Sequence, residues 1–389
     1  MLVGVYAIGV FGILASGDSS DGDAGGFSCD LVVRGIAPVS DGTVWAGVLA
    51  VTNNNSYDKV LLLDSDGSEL ASYDIGNGSV DNAVRAVALA ADASDDVYVG
   101  GDFPGGILRL NNDGSLDPGF NVVGAGFNGR VTSIAPQADG TLYVGGYFSE
   151  YNNIPVSGLV RLLNDGTRDT LNFVAVGVTN VESVALASDG TTDLYSGGTG
   201  LSLLERWNSN GSPDTVVFNP IIGPVHTIAP VPVPSGDIYV GGNFTGRIIR
   251  FNSNGTPDAA FDVDTGFDTD VLSVELAAAG TLYVGGSFTS YQGVDANGIL
   301  RLGADGSRDG GFLVGNGFIN SNSSSPAVTS VAETTDGFFD VFVGGGFSDY
   351  DGTPVNGIAR LDSDGSLDSG FDVRIAVNGG TCSSNSISD

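Results

Sequence analysis

The stretch Ala359–Phe371, ARLDSDGSLDSGF, decides the fold, because the chain writes it again and again. It stands earlier as LRLNNDGSLDPGF at 108–120 and IRFNSNGTPDAAF at 249–261. Its glycine recurs as Gly67, Gly114, Gly166, Gly211, Gly255, Gly306 and Gly365, at spacings of 44 to 59 residues. Two more anchors precede each copy in fixed order. One is a β-branched and aromatic run ending in Gly-Gly, such as VYVGG at 97–101 and LYVGG at 282–286. The other is RVTSIA at 130–135, NVESVA at 180–185 or PVHTIA at 224–229, with VVRGIA at 32–37 as the first copy.

Each unit therefore holds four short β segments separated by turn residues. Four antiparallel strands at a period of 40 to 60 residues make one propeller blade. The copies predict a single seven-bladed, all-β propeller of four-stranded blades over residues 29–382. An open β-solenoid is the competing architecture. Residues 1–16 form an apolar N-terminal arm, 17–28 a Gly/Ser/Asp linker, and 383–389 a C-terminal tail.

The order V-x-S-I-A, then D-G-x-L-Y-V-G-G, then R-L-N-x-D-G-S-x-D-x-x-F resembles a bacterial β-propeller family of unknown function, the delta-sixty repeat. The resemblance spans residues 30–375 and is weakest in the first unit. It implies the fold and a secreted or surface location, and it brings no catalytic residues.

Composition narrows the function. The chain has 46 acidic against 14 basic residues and a net charge of −32. Such a surface repels nucleic acid and anionic membranes, so neither is expected as a partner. The acidity reads either as a hydrated exterior surface or as the use of Asp in many turns.

Two positions of the quoted phrase change together. Five residues before the glycine stand Arg109, Arg161, Arg206, Arg250, Arg301 and Arg360, and three after it Asp117, Asp169, Asp214, Asp258, Asp309 and Asp368. In the first unit both become leucine, Leu62 and Leu70. Residues present or absent as a pair read as structural ion pairs flanking a hairpin, since an Arg fork matches a carboxylate. The turn acids Asp362 and Asp364 read as turn formers, with weak surface Ca2+ as the alternative. The spacing of an EF-hand loop is absent. No cofactor is expected.

The two cysteines, Cys29 and Cys382, flank the repeats, and a disulfide between them would close the ring in an oxidising, extracellular setting. Two free thiols are the other reading. The arm, MLVGVYAIGVFGILAS, carries no base and is short for a membrane span. It reads as an assembly device, a pilin-like helix or a donated strand, engaging further copies or a pilin-like partner. Three longer loops carry Tyr151, Tyr291 and Tyr350 at matching positions, candidates for stacking on a glycan. The sequons Asn77-Gly-Ser and Asn243-Phe-Thr would allow N-glycosylation.

No catalytic constellation is legible. His226 is the sole histidine, at the x of V-x-S, and reads as a satisfied strand residue. The chain is thus expected to be a non-enzymatic, adhesive or structural protein of the cell surface, with filament assembly through the arm. A secreted carbohydrate- or peptide-binding propeller is the alternative, and a propeller hydrolase or lyase the third.

Overall fold

The computed structural model describes residues 29–377 and 380–383, apart from 53–55, 78–82, 121–123, 201–202, 219–220, 222, 278–279 and 321–326. The apolar arm and linker, and any assembly through them, lie outside the described residues. No helix occurs among the described residues. The fold is all-β and propeller-like. Its repeating sheets pair an inner, a middle and a third strand, all antiparallel.

The inner strands carry the V-x-S-I-A phrase. They are Cys29–Pro38, Val84–Leu89, Arg130–Pro136, Val181–Leu186, Val225–Pro230, Val271–Leu276 and Ala327–Glu333. Each packs against the next in chain order, and the last returns to the first. The core lies between sheets. Leu31, Val33 and Ile36 of the first sheet, for example, bury against Phe342, Ile358 and Phe371 of the last.

The glycine pairs set this spacing. A Cβ on Gly100 would sit 2.5 Å from Val131 Cγ1 of the next sheet. One on Gly145 would meet Val181 at 2.6 Å, and one on Gly344 would meet Val33 at 2.6 Å. The same contact joins Gly47 to Val84, Gly197 to Val225, Gly241 to Val271 and Gly285 to Val328. So the first glycine of each pair, and the single Gly47 in the first unit, is the socket for the first valine of the following unit. The second glycine meets its own sheet: a Cβ there would strike the carbonyl just before the first valine of its own unit, as Gly286 would strike Asp270 O, next to Val271, at 2.3 Å.

The serine of V-x-S adds a polar tie. Ser133 Oγ accepts the Val184 N–H at 3.0 Å, and Ser273 Oγ accepts that of Val331 at 3.0 Å. Thr329 donates to Val33 O at 2.6 Å across the closure.

The expected four-stranded blades are corrected. Among the described residues, only the first sheet has a full fourth strand, Glu69–Asn77. In the others the fourth segment touches the third strand through one bridge, such as Leu361 with Leu367. The cause is the aspartate that follows. Asp368 gives its N–H to Arg360 O, and its carboxylate then accepts the Gly370 N–H at 2.8 Å. Asp117, Asp169, Asp258 and Asp309 do the same to the residue two positions on. This Asx turn bends the chain away before a ladder can form. The first sheet has Leu70 there, and its strand runs on.

Gly145→Ala forces a methyl into Val181 and Val184, so it should destabilise the protein by about 1–3 kcal/mol. Gly310→Ala, where a Cβ meets nothing within 4 Å, should change stability by less than about 0.5 kcal/mol. Urea unfolding of the two variants checks the contrast.

Candidate functional site

Every inner strand is irregular at one place. The register against the middle strand slips at the x of V-x-S, between Val33 and Gly35, Val84 and Ala86, Val131 and Ser133, Val181 and Ser183, Val225 and Thr227, Val271 and Ser273, and Val328 and Ser330. A bulged residue has no ladder partner and its side chain is re-aimed. The bulges bring together Arg34, Arg85, Thr132, Glu182, His226, Leu272 and Thr329 at one end of the ring. Arg34, Glu182 and His226 are buried, at 6 %, 1 % and 6 % exposure.

These side chains join residues beside the glycine pairs into one polar arc. Arg85 Nε lies 2.5 Å from Asp102, which also pairs with Arg130 at 3.3 Å. The Arg130 guanidinium sits 5.5 Å over the Tyr147 ring. Tyr147 donates to Glu182 Oε1 at 2.7 Å, and the other oxygen of Glu182 contacts His226 Nδ1. His226 Nε2 faces Asp270 at 3.8 Å, and Asp270 is held by Arg247 at 3.2 Å and Asn243 at 3.1 Å. At the other end, buried Asp58 lies within electrostatic reach of Arg34 and Arg85.

Electrostatics follow from this packing. Burial alone would lower the pKa of His226, but its contacts with Asp270 and Glu182 outweigh that and raise it to about 9. The ring is therefore an imidazolium at neutral pH. Asp270 is pulled below its ordinary value by His226, against its own burial. Burial pushes Asp58 up to about 6, against the pull of Arg34 and Arg85.

Sequence reasoning saw His226 as a satisfied strand residue and missed the arc. The available signal was a charged residue inside an otherwise apolar buried phrase, repeated at Arg34, Arg85 and Glu182. The Asn243 amide of the second sequon contacts Asp270 and Arg247 at this end.

The other sequence candidates lie elsewhere. Tyr151, Tyr291 and Tyr350 cannot stack on a glycan. They are 1 %, 1 % and 2 % exposed and donate to Gly166, Gly306 and Gly365 carbonyls at 2.5 Å. Each ring packs on phenylalanines, Tyr350 on Phe318 at 4.6 Å. They pin their loops to the next hairpin turn. Asp364 caps the Ser366 N–H at 2.9 Å, and Asp362 accepts from Ser366 Oγ at 3.1 Å.

The Arg/Asp positions do meet. Nε of Arg161 is 3.0 Å from Asp169, that of Arg301 2.6 Å from Asp309 and that of Arg360 2.6 Å from Asp368. Arg109–Asp117, Arg206–Asp214 and Arg250–Asp258 pair likewise. Four of these arginines reach a turn carbonyl of the following sheet, Arg301 to Ser363 at 2.6 Å and Arg360 to Ser65 at 2.7 Å among them. A surface cleft of about 510 Å3 lies at this hairpin end, lined by Gln137, Arg161, Asn172 and Ser209.

Residues 94–120, 137–171, 234–261, 280–312 and 341–371 match the model of a family described as a domain of unknown function (DUF5122) β-propeller. Each matched segment contains an Arg/Asp pair. No curated protein matches the chain. Among solved structures, the chain is similar to Chaetomium thermophilum Sqt1 bound to the N-terminus of a ribosomal protein (16% identity, 87% of this chain, 86% of that chain, TM-score 0.49). It is also similar to virginiamycin B lyase from Staphylococcus aureus with quinupristin (15%, 82%, 97%, TM-score 0.47) and to a gluconolactonase from Xanthomonas campestris (15%, 72%, 91%, TM-score 0.39). The last two are enzymes, and this finding corrects the expectation that the chain is not an enzyme.

Two predictions test these assignments. His226 has its folded pKa raised, so its stabilisation is full below about pH 6.5 and is lost as pH rises through about 9. Wild-type stability should fall by about 3 kcal/mol more than that of His226→Gln across this window, read from urea unfolding at pH 6, 8 and 10. Asp169→Leu strands Arg161 and should cost about 3 kcal/mol, whereas Arg161→Leu with Asp169→Leu should cost less than the two single changes summed. A double-mutant cycle measures the coupling.

Proposed function

We propose that the chain is a seven-bladed propeller that binds its ligand at the bulge end of the ring, in an extracellular setting. The delta-sixty repeat describes its unit. The observation that carries this reading is the ring of bulges. The packed positions of V-x-S-I-A keep their chemistry in most units, while the bulge residue takes Arg, Thr, Glu, His and Leu. A position freed from ladder and socket is free to serve recognition.

The ligand chemistry suited to this end is polar. Tyr147, Thr199, Arg130 and Asn243 stand beside the charged members and offer donors and acceptors of the kind that orient a carbohydrate or an extended peptide. An adhesive role is one use of such a site, with the propeller held out by residues 1–16. The Cys29–Cys382 disulfide belongs to the same reading. Among the described residues no cysteine is free, and the strand Gly380–Ser383 lies against Cys29–Pro38. A cross-link there would fix the ring at the chain ends.

The test is a glycan array and a peptide array probed with the wild type and with Glu182→Gln/His226→Gln, both shown to be folded by circular dichroism. The expected result is saturable wild-type binding, weakened at least about tenfold in the double variant and unchanged in Tyr350→Phe. Binding that survives the double variant would place recognition elsewhere and overturn the reading. Product analysis of each hit shows whether the ligand is also turned over.

A further inference from the structure

The arginine end of the arc differs from the histidine end. Around His226 each charge has a counter-charge and a hydrogen bond. Around Arg34 that balance fails. Arg34 is 94 % buried by its 6 % exposure, yet its Nε and Nη1 have no hydrogen-bond partner. Asp58, at 3 % exposure, leaves Oδ1 without a partner as well. Arg85 and Arg130 lie close enough to depress the Arg34 pKa further, after burial itself. Among the described residues, the guanidiniums of Arg34, Arg85 and Arg130 thus face the carboxylates of Asp58 and Asp102.

We propose that Arg34, Arg85 and Arg130 form a subsite for a carboxylate group of the ligand. This rests on the binding role proposed above and names part of its ligand. The two unpartnered Arg34 donors match two carboxylate oxygens, and charge-assisted hydrogen bonds of this type are the strong ones. Buried unpaired guanidinium donors are costly, and an anion removes that cost in the bound state only. Arg130, a third exposed, is the member that meets the incoming group. In a chain of net charge −32, the unpartnered Arg34 donors mark a place where an anion is held rather than repelled.

Asp58 gives the subsite a pH dependence. The groups facing it are Arg34, Arg85, Asp102 and the Val84 N–H. Ionised, Asp58 repels a second carboxylate. Protonated, it becomes a donor. Binding should therefore tighten as pH falls from 7.5 to 5.5, where acetate itself stays ionised.

The experiment is calorimetric titration of the full chain with acetate, sulfate and phosphate, each at constant ionic strength set with chloride. The expected result is saturable one-to-one acetate binding, with sulfate and phosphate at least about tenfold weaker. Acetate binding should tighten at pH 5.5 and weaken at least about tenfold in Arg34→Lys, which keeps the charge and loses the fork. The Tyr350→Phe variant, whose hydroxyl meets the Gly365 carbonyl away from the arc, should bind acetate as wild type does. No acetate binding, a preference for sulfate or phosphate, weaker binding at pH 5.5, or full affinity in Arg34→Lys would each overturn the subsite. An array ligand that binds through Glu182 and His226 without acetate binding would leave the broader reading standing and remove this one. Acetate binding without any array ligand would do the reverse.

Discussion

A valine seated on a glycine holds this molecule together. Val131 on Gly100, Val181 on Gly145 and Val33 on Gly344 are the same contact at three points of one ring. Each leaves no room for a methyl, so neighbouring sheets approach to a fixed distance. Close packing of this kind transmits position accurately, because interiors do not yield to small displacements. The serine hydroxyls that accept a neighbour's N–H, and the arginines that reach a neighbour's turn, act on sheets already set at that distance.

The bulge follows directly from this lock. The valine fills a socket in the preceding sheet, and the serine two residues on bonds the following one. The residue between them has no place in the ladder. Its side chain turns out of the sheet, and the closed sequence of sheets gathers these side chains at one end. The scaffold thus builds a polar cluster from residues about one repeat apart in sequence, such as Glu182, His226 and Asp270. Their mutual contacts make His226 cationic, and the unpartnered guanidinium nitrogens of Arg34 give the opposite end of the arc a different character. Packing fixes the phrase, and the single unpacked residue in it is free to vary.

This division explains what could be read from the chain and what could not. The repeat, the all-β class and the Arg/Asp meeting were legible, because each is written in every copy or changes as a pair. The fourth strand misled. Its residues alternate as a strand should, but the aspartate that pairs with arginine also caps the N–H two positions on and turns the chain. Leu70 shows what happens without it. The loop tyrosines misled in another way. Tyr151, Tyr291 and Tyr350 each follow a phenylalanine by three residues, Phe148, Phe288 and Phe347, and that spacing marked packing rather than display. The arc was invisible for a topological reason. Its members are single residues spread over six repeats, and only ring closure makes them neighbours.

The chain has one histidine, so the arc can be read without interference. The most direct measurement is an NMR titration of the His226 imidazole in the wild type and in Glu182→Gln. The ring should be doubly protonated at pH 7.5 and titrate near 9, with a lower value when Glu182 loses its charge. An imidazole that is neutral at pH 7.5, titrates near 6.5 and ignores Glu182→Gln would contradict the gathering of these residues at the bulges.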